Sequence, residues 1–130
     1  MILKVVGATA LAGLIVASGA AAQQKGVSRT DLSRHDLTDP GHEAIQVEVT
    51  LEPKAEVPRH THPGEEIVYV LRGVVEYRLE GQKPARLKRG DTLFIPYGVI
   101  HSVKNVGAGP ATEIATYLVT KGKPLLQPAE

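Results

Sequence analysis

From Ile45 onward the chain alternates: Ile45, Val47, Val49 and Leu51 are apolar, while Gln46, Glu48 and Thr50 between them are polar. Residues two apart on a strand share a face, so this period predicts a half-buried β-strand. Further strands are predicted at Glu56 to His62, Glu66 to Arg72, Val74 to Glu80, Ala85 to Lys88, Thr92 to Ile95, Ile100 to Asn105 and Thr112 to Thr120. Turn signals separate them at Pro63-Gly64, Gly73, Gly81, Arg89-Gly90-Asp91, Pro96-Tyr97-Gly98 and Gly107 to Pro110. No stretch carries a helical period. Short strands joined by glycine and proline turns predict an all-β fold, a small antiparallel sandwich or β-barrel. No internal repeat is visible, which points to one barrel rather than two.

The flanks differ in character. Residues 23–43, "QQKGVSRTDLSRHDLTDPGHE", are polar and turn-rich and read as an N-terminal arm outside the core. The barrel domain then spans 44–120. The tail over 121–130 carries Pro124 and Pro128, cannot continue a central strand, and is expected to lie over the surface or over a partner subunit. Residues 1–22 carry one charge at Lys4, an apolar stretch from Val5 to Val16 and small residues at Ala20 to Ala22. They read as a signal peptide cut before Gln23. The stretch is short for a membrane span and holds Gly7 and Gly13. The expectation is an exported protein, periplasmic or secreted, with no membrane attachment after cleavage. The chain has no cysteine, which excludes a lipid anchor on cysteine and any disulfide. No twin arginine precedes the apolar stretch, so export unfolded and metal loading outside the cytoplasm are expected.

Loss of residues 1–22 removes only Lys4, leaving 14 basic and 14 acidic side chains. This balance, without any basic run, argues against a nucleic-acid partner. With Phe94 and four tyrosines as the only aromatics, Val, Leu and Ile must fill the core. Exposed strand edges are a liability in so small a sheet protein, and a homodimer that covers them is expected.

The candidate chemistry lies in two segments. In "RHTHPGEEIVYVLRG" (59–73), His60 and His62 share one strand face and sit about 7 Å apart along it, placed to converge on a metal ion. Histidines on a solvent-facing strand are the plainer alternative. Glu66 opens the next strand with the parity of Val68 and Val70, taken as inward, whereas Glu65 points away or sits in the turn. A further ligand has to come from a distant strand, and "GDTLFIPYGVIHSVKN" (90–105) supplies His101.

Together these segments resemble the two sequence motifs of the cupin superfamily. His60, His62, Glu66 and Gly73 meet the first motif, and Gly90, Pro96, Gly98, His101 and Asn105 meet the second. Lys54 stands where the first motif usually begins with glycine, which bears on a turn rather than on the ligands. The resemblance implies a double-stranded β-helix, jelly-roll-like, with one divalent transition metal ion held by His60, His62, Glu66 and His101. Three imidazoles and a carboxylate suit Fe, Mn, Ni, Co, Cu or Zn, and a six-coordinate ion keeps two positions for a small-molecule substrate, water or dioxygen.

Among the remaining residues, Tyr77 has inward parity with Val75 and Leu79. It is the one weak catalytic candidate, a phenol able to donate to a substrate oxygen, with a core tyrosine whose hydroxyl is satisfied as the alternative. His35 and His42 read as surface residues of the arm, and Asn105 as a side chain that satisfies backbone groups. Three functions are open: a metal-dependent dioxygenase acting on a chelating enol, catechol or flavonol-like substrate; a non-redox lyase, isomerase or decarboxylase; and a non-enzymatic metal or ligand binder. Some lyase cupins acting on dimethylsulfoniopropionate carry a tyrosine two residues after the motif glutamate, where this chain has Val68. If Val68, Val70, Val75 and Val99 line the pocket, it is apolar and favours the dioxygenase.

Overall fold

A computed structural model describes residues 24–130; the signal peptide expected over 1–22 lies outside the described residues. The predicted strands form with small shifts at their ends: β1 (Val27–Asp36), β2 (His42–Leu51), β3 (Glu56–Thr61), β4 (Gly64–Arg72), β5 (Val74–Leu79), β6 (Ala85–Lys88), β7 (Thr92–Ile95), β8 (His101–Asn105), β9 (Ala111–Thr120) and β10 (Gln127–Pro128). They build two antiparallel sheets, ordered β1-β2-β9-β4-β7 and β10-β3-β8-β5-β6. No helix occurs among the described residues. The all-β, jelly-roll-like double-stranded β-helix is the fold that forms.

One core lies between the sheets. Its inner faces carry Ile45, Val47, Val49 and Leu51 of β2, Val68 and Val70 of β4, Val75 and Leu79 of β5, and Val103 of β8. Aliphatic side chains fill it, as the composition requires, and the aromatic rings inside are Tyr77 and Tyr117. Phe94 is on the outside, 55% exposed.

The segment expected to be an arm is mostly strand. Residues 27–36 pair with β2 from Val27 opposite Leu51 to Asp36 opposite Glu43, with one bulge between Asp31 and Ser33. Only Val27 of β1 is buried. An edge strand with polar side chains has no hydrophobic period to reveal it, because its backbone pairing and not its burial holds it. The tail also finds an edge: β10 pairs with β3 through Thr61 and His60. Pro128 has no N–H to donate and is tolerated because the strand is outermost.

Two local devices fix the frame of the site. Asn105 is fully buried; its Nδ2 donates to the carbonyls of Leu51 and Gly109, both at 2.9 Å, and its Oδ1 accepts from Gly107 N. It ties the end of β8 to the end of β2, as its reading as a backbone-satisfying residue requires. Gly64 opens β4 opposite Val119, and a Cβ there would stand 1.9 Å from the Leu118 carbonyl oxygen. Only a glycine lets β4 reach β9 at this point.

Lys54 takes the conformation that the missing glycine would have supplied, at φ 68°. An L-residue in the left-handed region carries strain of roughly 1–2 kcal/mol. Lys54→Gly is expected to leave stability equal or higher by up to about 1 kcal/mol, since relief of strain is partly offset by greater freedom in the unfolded chain. Gly64→Ala is expected to cost about 3 kcal/mol through overpacking. Urea denaturation of both variants checks the pair.

Candidate metal centre

A strand in strict alternation cannot point both Val57 and His60 inward, yet both are buried. The register of β3 against β8 shifts between Val57 and His60, so a bulge at Pro58-Arg59 resets the parity. His60 then lies directly opposite His101 of β8. His62 follows just beyond the end of β3, and Glu66 faces inward from β4 with Tyr117 and Ile95 as its cross-strand neighbours. The structure thus brings His60, His62, Glu66 and His101 together between the sheets, with Glu66 and His101 only 3% and 2% exposed. Glu65 is half-buried and outside this cluster.

All three imidazoles are oriented in the same way. His60 Nδ1 meets the carbonyl oxygen of Pro58 at 2.7 Å, His101 Nδ1 that of Val99 at 2.8 Å, and His62 Nδ1 that of Leu125 at 2.6 Å. A carbonyl only accepts, so each Nδ1 carries the hydrogen and donates it. In a neutral ring this leaves Nε2 as a lone-pair donor, the arrangement that metal-bound histidines show. One ligating nitrogen from each ring lies within 4.8 Å of the others.

The fourth group, Glu66, adds an anion to the cluster. Glu66 Oε2 stands 3.0 Å from His62 Nε2 and 3.2 Å from His101 Nε2. His62 Nε2 is buried without a hydrogen-bond partner despite that closeness. His101 Nε2 lies within hydrogen-bond distance of Glu66 Oε2, so a proton shared there and a cation held by the same nitrogens are alternative occupants of this space. Burial lowers His60 to about 4, aided by the neighbouring His101, so this ring is neutral at physiological pH. Burial opposes ionisation of Glu66, but the His101 and His62 contacts overcome it and hold the carboxyl at about 2. The donor set therefore fits a divalent transition metal ion, with three imidazole nitrogens and one ionised carboxylate.

The cavity at this cluster has a volume of about 20 Å³, enough for an ion or a water molecule. Its walls differ from the sequence expectation. Val68, Val70 and Val75 are buried in the core but do not line it, and Val99 is only half-buried and also absent from the lining. The lining instead includes Arg29, Tyr77, Glu113 and Tyr117 beside Val49, Val57, Val103 and Leu126. The chamber thus mixes charged and phenolic side chains with aliphatic walls, and the valines of β4 and β5 lie outside its lining.

Glu113 is the main residue that sequence reasoning missed. It is 2% exposed, and the Tyr77 hydroxyl donates to its Oε1 at 2.6 Å. The hydroxyl of Tyr77 is thus satisfied by a partner from the opposite sheet. Parity carried the signal for Glu113: on β9 it alternates with Ala111, Ala115, Tyr117 and Val119, all buried. Tyr117 packs against His62 with ring centroids 4.7 Å apart. The tail was also missed, though it supplies the Leu125 carbonyl and the Leu126 wall. His35 is exposed and His42 pairs with Asp39 at 2.8 Å; neither joins the cluster.

Burial raises Glu113 from the ordinary 4.5 to about 8, the Tyr77 hydrogen bond pulls against this, and the Glu66 charge adds to the rise. Burial likewise pushes the Tyr77 and Tyr117 phenols well above 10. The folded chain holds the Glu113 proton where the unfolded chain has lost it, so stability falls as pH rises from 4.5 to 8. His60 acts oppositely between 4 and 6.5, where the unfolded ring binds the proton and stability rises with pH. The net fall is therefore exposed between pH 6.5 and 8, on the order of 2 kcal/mol. In metal-free protein, Glu113→Gln is expected to remove this fall, as read by urea denaturation across that range.

Residues 47–117 match the family model described as Cupin domain. The chain is 45% identical over 47 residues to dimethylsulfoniopropionate lyase DddQ of Ruegeria pomeroyi, covering 36% of this chain and 23% of that protein. It is 33% identical over 72 residues to germin-like protein subfamily 3 member 1 of Arabidopsis thaliana, covering 52% and 35%. The chain thus spans about a quarter to a third of the length of these curated relatives. Among solved structures, a cupin-like protein from Thermotoga maritima superposes with a TM-score of 0.64 at 26% identity, covering 80% of this chain and 77% of that one. The polyketide cyclase RemF from Streptomyces resistomycificus does so with a TM-score of 0.65 at 20% identity, covering 82% and 73%, which is a likeness of fold alone. A family model that takes in more than half of the residues, two motifs at family spacing and the barrel itself agree: the chain belongs to the cupin family.

Proposed function

We propose that this cupin is an exported, metal-dependent enzyme that performs non-redox chemistry, of the lyase, isomerase or decarboxylase kind, on a small polar substrate. The observation that carries the reading is the convergence of three Nε2 lone pairs and the Glu66 carboxylate on a chamber that also holds proton-bearing groups. His60, His62, Glu66 and His101 would hold the ion. When bound, it supplies a Lewis acid that polarises a substrate oxygen and lowers the barrier to proton removal beside it.

The chain's own residues do the rest. Hydrogen bonds from Nδ1 keep the imidazoles neutral and aimed, and Glu66 stays ionised. Tyr77 and Glu113 share a buried hydrogen bond and retain protons at neutral pH, so a proton source stands inside the chamber. A short stretch of high identity to a lyase supports the class, although Val68 stands where related lyases carry tyrosine. Residues 1–22 support export.

A metal-dependent dioxygenase on an enol, catechol or flavonol-like substrate is the second reading. Three imidazoles with one carboxylate suit redox-active ions equally well, which favours it. Val49, Val57, Val103 and Leu126 give the chamber aliphatic wall for such a substrate, beside the proton-bearing Tyr77 and Glu113 that favour the first reading.

Elemental analysis is expected to find one divalent ion per chain in the wild type. Less than a tenth of an equivalent is expected in His62→Ala and His101→Ala, together with a lower melting temperature. A full equivalent in both variants would overturn the assignment. Deuterium incorporation from D₂O into small carboxylic or hydroxy-acid substrates, without O₂ uptake, is expected of the loaded enzyme. Substrate-dependent O₂ consumption would instead select the oxygenase.

A further inference from the structure

The chamber at the histidine cluster, about 20 Å³, has room for an ion or a water molecule and nothing larger. An organic group of even a few atoms enters only if a wall moves. Most of the walls are fixed by pairing on both sides: β2, β9 and β4 are interior strands of one sheet, and β3, β8 and β5 of the other. Two lining residues lie outside this frame. Arg29 belongs to the edge strand β1, which is registered with β2 at nine positions between Val27 and Asp36. Leu126 belongs to the segment 121–130, where β10 is registered with β3 at two positions, Gln127 opposite Thr61 and Pro128 opposite His60.

This segment has a hinge, a wall and a latch. Lys121, Gly122, Lys123 and Pro124 are all exposed. Gly122 has φ 78°, and no atom lies within 4 Å of a Cβ placed there, so the position is open to a change of backbone angle. Leu125 and Leu126 follow, half-buried and packed against the core. Beyond the β10 pairing, the segment is fastened by the His62 Nδ1 hydrogen bond to the Leu125 carbonyl at 2.6 Å and by Ala129 N to the Arg59 carbonyl at 3.0 Å. An exposed contact of Arg59 Nη2 with the backbone oxygen of Glu130 at 3.3 Å adds to these. Few backbone bonds beside an exposed hinge mark a part of a fold that opens without the rest.

We propose that the segment 121–130 is a strap that closes the chamber and, turning about Gly122, carries Leu126 out of the wall and releases His62 from the Leu125 carbonyl. The gap left beside His62 is the entrance through which an ion and a small substrate reach the cluster. What enters rests on the function proposed above; the motion of the strap does not.

The chain has no cysteine, so one disulfide can be placed without competing thiols. Thr61 and Gln127 are directly opposed, and Cα atoms in such a pair are about 5.5 Å apart, within a disulfide's reach. Thr61→Cys with Gln127→Cys pins the strap. Glu48→Cys with Ile114→Cys, opposed in the same way on β2 and β9, closes a loop of equal length and restrains the unfolded chain equally, but leaves the strap untouched. The probe is diethyl pyrocarbonate, an imidazole-acylating reagent too large for the closed chamber, applied to the metal-free full mature chain. Modification of His60, His62 and His101 is followed by mass spectrometry. The strap disulfide is expected to slow it by about tenfold or more relative to the control disulfide, while the exposed His35 reacts alike in both. Leu126→Ala, which thins the wall without a crosslink, is expected to speed it about fivefold over the wild type, so the test survives a disulfide that fails to form. Release of Zn²⁺ from loaded protein to excess EDTA is expected to follow the same order as the acylation. Equal rates for the two crosslinked chains in either measurement, or an unchanged rate in Leu126→Ala, would overturn the proposal. If no Zn²⁺ binds while the acylation keeps this pattern, the metal reading fails and the strap stands.

Discussion

The structure turns on three imidazoles and one carboxylate packed against one another in the buried interior. Carbonyls of Pro58, Val99 and Leu125 take the Nδ1 hydrogens of three imidazoles, and Nε2 of His62 and of His101 stand 3.0 and 3.2 Å from the Glu66 carboxylate. Buried polar atoms ordinarily find partners, and a protein interior penalises those that do not. The His101–Glu66 contact already joins the two sheets, and a cation bound at the cluster would tie them through side chains of both.

A second cross-sheet link, from Tyr77 to Glu113, lies on the other side of the chamber and is neutral where the first is charged. The difference has a structural origin. Glu66 stands beside Tyr117 and within reach of two imidazoles, whereas Glu113 stands between Val49 and Val70. Two glutamates of one barrel are therefore driven to opposite protonation states by their neighbours, the pattern by which proteins separate acid from base.

The sequence disclosed what depends on local spacing. Alternation located eight strands, the H-x-H spacing put two imidazoles on one face, and parity chose Glu66 over Glu65. It concealed what depends on pairing between distant strands. β1 escaped notice because an edge strand with polar side chains looks like a linker, and the bulge at Pro58-Arg59 because parity arguments assume an unbroken register. Glu113 was visible in principle as the single charge on an otherwise apolar inward row, but its meaning required knowing that Tyr77 lies opposite. The valine-lined pocket was misplaced for a related reason: alternation tells which side chains point inward, not which part of the interior stays open.

The hydrogen bond from His62 to the Leu125 carbonyl has a further consequence. It makes the last residues of the chain a partner of the ligand cluster, although they contribute a backbone atom rather than a side chain. Linkage then runs both ways: whatever fixes His62 also fastens the tail, and whatever loosens the tail frees the ring. Susceptibility of the C-terminus to carboxypeptidase becomes, by this coupling, a readout of occupancy at the centre of the barrel.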